Sequence, residues 1–192
     1  MIYTIFTLLI ITLAVIFIKI KQQKQKKTVL FCLLDASASM LLPHKAEEYK
    51  HHFDEFQQKL INLYGAKNVT LKYIRYNNTA KYCSEGEFYH SKDIGGTIMS
   101  SGLKLCNDIQ KQEYSSKDVD FYVVNITDNY NWPEDDLLCK AEYESMLKNK
   151  VTCMHVFYKD NVYNRRFVDL VCSPLEELYG NFSNKIISFE SK

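Results

Sequence analysis

The chain has 192 residues, with 46% apolar and 24% charged side chains, six glycines, three prolines and a formal net charge of +1. That composition suits one folded domain with an appendage and excludes collagen-like, proline-rich and disordered architectures. Five of the 24 basic residues fall within residues 1–27 with no acid among them, so the remainder is net acidic, which argues against a dedicated nucleic-acid surface.

Residues 2–18, IYTIFTLLIITLAVIFI, contain no charge, glycine or proline. At ~1.5 Å per residue they make roughly 25 Å of helix, a short membrane span that Ile20 and the stem of Lys19 can extend. The basic start and small-residue cleavage site of a signal peptide are missing. The expectation is an uncleaved transmembrane anchor over 1–20 and a basic linker over 21–27. Lys19, Lys21, Lys24, Lys26 and Lys27 on the C-terminal flank place the body, 28–192, in the cytoplasm of a single-pass membrane protein.

The body alternates strand-like and helix-like segments. The run VLFCLL at 29–34 reads as a strand buried on both faces. Tyr49, Phe53, Phe56, Leu60 and Leu63 share one face of a helix that Gly65 should close. Residues 69–76 and 79–89 read as strands joined by a turn at Asn77-Asn78. Gly95-Gly96 precedes a helix over about 97–112. A strand over 119–127 follows, then a helix opened by Pro133 and running to about 148, a strand over 151–158, a helical stretch over 164–179 interrupted at Pro174, and a short strand over 185–190. This order predicts an α/β fold with a doubly wound, Rossmann-like, mostly parallel sheet, helices on both faces and one antiparallel strand.

In such a sheet the functional crevice lies at the carboxyl ends of the strands. Three polar clusters fall there: Asp35-Ala36-Ser37-Ala38-Ser39 after the first strand, Gly95-Gly96-Thr97 before the second helix, and Thr127-Asp128-Asn129 after the fourth strand. Each alone has an ordinary reading: a serine-rich turn, an N-cap at Thr97, an Asx turn at Asp128. Together they offer the hydroxyls of Ser37, Ser39 and Thr97 and the carboxylates of Asp35 and Asp128 to one hard cation, Mg²⁺ or Mn²⁺. Neutral hydroxyls leave such an ion able to attract an external carboxylate.

These five positions resemble the metal-ion-dependent adhesion site (MIDAS) of von Willebrand factor A (vWA) domains. The phrases VLFCLLDASASM, VTLKYIRYNNTAKYCSEGEFYHSKDIGGTIMSSGLKL and TDNYNWPEDDLLC are closer still to the YeaH/YhbH family of stress- and sporulation-associated bacterial proteins. That likeness runs from about residue 28 to 158. It implies a vWA fold, a metal held by Asp35, Ser37, Ser39, Thr97 and Asp128, and a protein partner presenting Asp or Glu. Members of that family often accompany a serine-kinase-like AAA+ protein and a SpoVR-type protein, so the resemblance implies a partner of that kind. The chain departs from the family in three places. The long polar N-terminal region is replaced by the apolar segment. A usual glycine is Ala38, harmless where φ is negative. The second acid after the fourth strand is lost in Asp128-Asn129-Tyr130.

The function expected is therefore a membrane-anchored, protein-binding module without enzymatic turnover. One alternative is a haloacid-dehalogenase-type phosphatase with Asp35 as nucleophile, although Ser37 stands where that chemistry needs a second Asp. Another is a metal-independent scaffold in a membrane complex. Among other residues, the six cysteines lack CxxC spacing and are expected as buried free thiols, and the five histidines show no ligand spacing. Arg75, flanked by Tyr73 and Tyr76, offers a phosphate-binding reading, but a solvated strand edge is expected. Trp132 either anchors a partner at the rim or packs under the loop.

Overall fold

The computed structural model describes residues 11, 12, 16, 19, 21, 26–114, 118–158 and 163–187. The expected anchor over 1–20 lies almost wholly outside the described residues, and among the described residues no helix is long and apolar enough to cross a membrane.

Strand β1 (Lys27–Asp35) is buried along its whole length after Lys27. It leads through a short 3₁₀ turn (Ala38–Leu41) into helix α1 (Pro43–Tyr64), which has proline in its first turn. Strands β2 (Val69–Tyr76) and β3 (Ala80–Cys83) form the expected hairpin. Helix α2 (Glu85–His90), helix α3 (Met99–Glu113) and strand β4 (Val119–Thr127) follow. Helix α4 (Asp136–Lys148) is entered through a 3₁₀ turn at Pro133–Asp135. Strand β5 (Thr152–Tyr158) is followed by a continuous helical stretch: α5 (Tyr163–Phe167), a π-helical turn (Val168–Cys172) and α6 (Ser173–Leu178). Strand β6 (Phe182–Ile187) closes the order.

The six strands form one sheet in the order β3-β2-β1-β4-β5-β6, parallel throughout except for the antiparallel pair β2–β3. Because alternate residues of a strand point to opposite faces, β1 feeds two cores. Val29, Phe31 and Leu33 pack with α3, α4 and the π turn through Leu103, Tyr143 and Val171. Leu30, Cys32 and Leu34 pack with Tyr49, Phe53 and Leu60 of α1 and with Phe88 of α2. All six cysteines are free and buried.

Four expectations need correction. Residues 79–89 are not one strand, because Ser84 and Glu87 form a capping box: the Glu87 N–H donates to Ser84 Oγ and the Ser84 N–H donates to Glu87 Oε2. That pair starts a helix where strand propensity alone extends the hairpin. The last strand begins at Phe182, three residues earlier than expected. Leu63, expected on the buried face of α1, is exposed, because Tyr64 takes the buried position in the last turn. Pro174 does not interrupt the helical stretch, which runs through it directly after the π-helical turn.

Helix α3 lies on the sheet through Gly102. A Cβ there would meet the Tyr76 ring at 2.7 Å, and that ring cannot swing away because its hydroxyl donates to Asn125 Oδ1 at 2.9 Å. Gly102→Val is therefore expected to lower the unfolding free energy by about 1–3 kcal/mol through overpacking. Urea denaturation measures this, and an unchanged midpoint would contradict the close approach.

Candidate metal centre at the carboxyl edge of the sheet

Strands β1 and β4 are parallel neighbours, with Leu34 opposite Ile126, so their carboxyl ends emerge side by side. Asp35 ends β1 and is fully buried. Its Oδ1 accepts the Ser37 N–H at 2.8 Å, and its Oδ2 accepts the Thr127 hydroxyl at 2.7 Å. The Ser37 and Ser39 hydroxyls are 3.1 Å apart. Ser37 also pairs with Gly95 in an isolated parallel bridge, which joins the first loop to the one carrying Thr97. Gly96 permits a second close approach: a Cβ there would sit 2.6 Å from Asn78 Oδ1.

Thr97 is buried but does not cap α3, whose N-cap is Ile98. The loop after β4 caps it instead. Asn131 Oδ1 accepts the Met99 N–H at 3.1 Å, and Asp135 accepts the Ser100 N–H at 2.9 Å and the Ser100 hydroxyl. The N-cap reading of Thr97 therefore falls. Asp128 is fully buried; its Oδ1 accepts the Tyr130 N–H at 3.4 Å, and its Oδ2 accepts from Lys45 Nζ at 3.2 Å. The structure thus groups Asp35, Ser37 and Ser39 in one loop, sets Asp128 on the adjoining strand end, and ties the Thr97 loop to both.

Electrostatics mark the place. Burial, and next the Asp128 carboxylate, push the Asp35 carboxyl up to about 7, against the opposing effect of the Thr127 and Ser37 bonds. The Asp35 and Asp128 carboxylates and the Ser37 and Ser39 hydroxyls offer oxygens of the kind a hard divalent cation takes, with the Lys45 ammonium lying on Asp128. Among the described residues no group of three or more His, Cys, Asp and Glu side chains that could hold a metal ion is assembled.

Several supporting residues were not singled out by sequence reasoning. Lys45 comes from the first turn of α1. A cation there opposes the helix dipole, and that conflict is the one local sign that it answers a carboxylate elsewhere. Asn129 adopts φ 63, which asparagine tolerates. Its Oδ1 lies 2.7 Å from His155 Nε2, and the other ring nitrogen meets the Tyr143 hydroxyl at 3.1 Å. Burial holds the His155 imidazole down at about 3, so it is neutral. Ala38 lies in the 3₁₀ turn and is not among the described residues with positive φ, so the departure from glycine is harmless.

Arg75 is not at a solvated edge. It is buried, and its guanidinium donates to the carbonyls of Phe88 at 2.7 Å, Ser91 at 3.1 Å and Asp93 at 3.3 Å. These are carbonyls at and just beyond the end of α2, which a cation satisfies. Arg75 thereby fastens the segment that leads into Gly95. Around the site Leu42, Ile94, Tyr130 and Trp132 are exposed. Trp132 is 58% exposed, which favours its rim position over packing under the loop.

Comparison with known proteins supplies a family and a fold. The profile of the family described as "Protein of unknown function (DUF444)" matches residues 16–165. The UPF0229 proteins of Erwinia tasmaniensis and Serratia proteamaculans are each 31% identical over 164 residues, covering 85% of this chain and 37% of theirs. The chain thus spans little more than a third of the length of these relatives. Among solved structures, the SpRpn10 VWA domain superposes with a TM-score of 0.61 at 15% identity, over 87% of this chain and 90% of that one. The manganese-loaded Plasmodium vivax TRAP protein gives 0.59 at 13% identity, over 84% and 69%. The architecture is that of a vWA-like domain, as expected.

Protonation tests the crevice. Between about pH 4 and 7 the folded chain keeps a proton on Asp35 that the unfolded chain releases, so this group's contribution to stability falls as pH rises. His155 acts oppositely, costing stability as pH falls from about 6.5, and the two partly cancel. Asp35→Asn removes only the first. In chelator, its stability relative to wild type is expected to rise steadily from pH 4 to 7 in urea denaturation, and a pH-independent difference would refute the buried carboxyl.

Proposed function

The chain belongs to the DUF444 family, whose function is unknown, and we propose that it is a protein-binding module that uses a MIDAS-type cation, Mg²⁺ or Mn²⁺, to capture an acidic side chain of a protein partner. The observation that carries this reading is the buried Asp35 carboxylate, with the Ser37 and Ser39 hydroxyls 3.1 Å apart in its own loop and the buried Asp128 carboxylate on the adjoining strand end. Ser37, Ser39 and Thr97 would furnish neutral oxygens; Asp35 and Asp128 would furnish charge, directly or through bound water. The ion, when bound, supplies a positive charge that this set leaves incompletely neutralised. A protein of the same fold has been crystallised loaded with manganese, which supports the choice of ion.

The exposed Leu42, Ile94, Tyr130 and Trp132 suit an apolar contact around a central charge. No turnover belongs to this reading, since Ser37 stands where a phosphatase of the haloacid type needs a carboxylic acid. The reading includes the likeness to YeaH/YhbH proteins, a partner of the AAA+ or serine-kinase-like kind, and an anchor over 1–20 that keeps the domain on the cytoplasmic side of a membrane. These parts rest on the residues and the resemblance set out first.

Calorimetry with Mg²⁺ is expected to give saturable binding by the wild type and none by an Asp35→Ala/Asp128→Ala double variant; equal heats would remove the site. A second measurement addresses the partner. Immobilised chain should capture a partner that chelator releases, and Trp132→Ala should weaken that capture on the order of tenfold or more. Capture that ignores chelator would instead favour a metal-independent scaffold.

A further inference from the structure

The candidate site already contains a cation belonging to the chain. The Lys45 side chain is 4% exposed and that of Asp128 0%, with Nζ 3.2 Å from Oδ2. An ammonium taken this far out of water must be held by its counter-charge. It lies on one of the two carboxylates that the metal reading assigns to the ion. A divalent cation and an ammonium on the same carboxylate would repel each other strongly in a crevice shielded from solvent. The two therefore compete for Asp128.

A second place for the ammonium is visible on the same helix. Glu48 lies three residues beyond Lys45 in α1, a spacing that makes side chains neighbours on one helix face. Its Oε2 is buried and has no hydrogen-bond partner among the described residues. A buried carboxylate oxygen left without a donor is costly, and a lysine on a flexible four-carbon stem can supply one.

We infer that Lys45 is a tethered counter-ion which a divalent cation must displace from Asp128, and that Glu48 receives the displaced ammonium. This rests on the metal-binding reading above and adds its regulation. In the metal-free state Lys45 neutralises Asp128 and keeps the crevice folded. On metal binding, the ammonium and the ion exchange places. Affinity for the ion is then lower than the five oxygen-bearing side chains alone would give, and the start of α1 registers whether the site is filled.

The test is a calorimetric titration of the whole chain with MnCl₂, using wild type, Lys45→Met, Lys45→Gln, Lys45→Arg and Glu48→Gln, with melting temperatures recorded in chelator and in saturating Mn²⁺. Lys45→Met and Lys45→Gln are expected to bind Mn²⁺ on the order of tenfold tighter. They should melt below wild type in chelator, where Asp128 has lost its partner, and recover in Mn²⁺. Lys45→Arg keeps the charge and should not gain affinity. Glu48→Gln should bind several-fold more weakly.

A purely structural lysine would lower the melting temperature without tightening the metal. Unchanged or weaker Mn²⁺ binding by both neutral variants, with the wild type binding, therefore overturns the role of Lys45 and leaves the metal site standing. If neither wild type nor the neutral variants bind Mn²⁺, both readings fall. Glu48→Gln binding like wild type overturns the part assigned to Glu48.

Discussion

A carboxylate stands at the end of a strand that has no access to water. β1 is flanked by β2 and β4 and covered on both faces, and it delivers Asp35 into the crevice where those strands stop. Its charge has to be met there by donors, by a proton or by a cation. The Thr127 hydroxyl and the Ser37 N–H meet it in part, while Asp128 works against it from the next strand. The surrounding loops follow from that demand. They bring hydroxyls, a buried ammonium and close-packed glycines to one spot, and they take their own hydrogen bonds from elsewhere in the fold.

Those supports explain how irregular backbone can hold a site. Arg75 reaches from β2 to carbonyls on the far side of α2 and so fixes the segment entering Gly95. Asn131 and Asp135 cap α3 from the loop after β4, which leaves Thr97 outside the cap. His155, Tyr143, Asn125 and Tyr76 form a buried polar chain under Asn129. Each of these groups has a hydrogen-bond partner distant in sequence, so each couples one loop to another, although Arg75 Nε and Asn129 Nδ2 are buried without a partner among the described residues. A network of this kind restricts geometry when its members are paired, which is what a coordination site needs before any ion arrives.

Much of the architecture was legible along the chain because burial on both faces requires apolar runs, and VLFCLL and the helix of Tyr49, Phe53 and Leu60 are such runs. The three polar clusters were legible because strand ends in a doubly wound sheet converge. Local competition was harder to weigh. The Ser84 and Glu87 capping box ends the hairpin arm at Cys83 and starts a helix over residues read as strand. Long-range polar partners left almost no local trace. Lys45 is 83 residues from Asp128, and Arg75 reads as an edge residue until the carbonyls it serves are folded against it.

The six thiols have a consequence for how the molecule can be watched. Cys32 and Cys83 lie in one core and Cys106, Cys139, Cys153 and Cys172 in the other, and burial raises the pKa of each. A thiol reacts as its thiolate and only where a reagent can reach it, so the native chain is expected to react slowly with alkylating agents and mild oxidants. The rate at which such reagents consume these sulfurs therefore clocks the opening of either half of the interior. The protein carries its own stopwatch for breathing motions, with no label to be engineered.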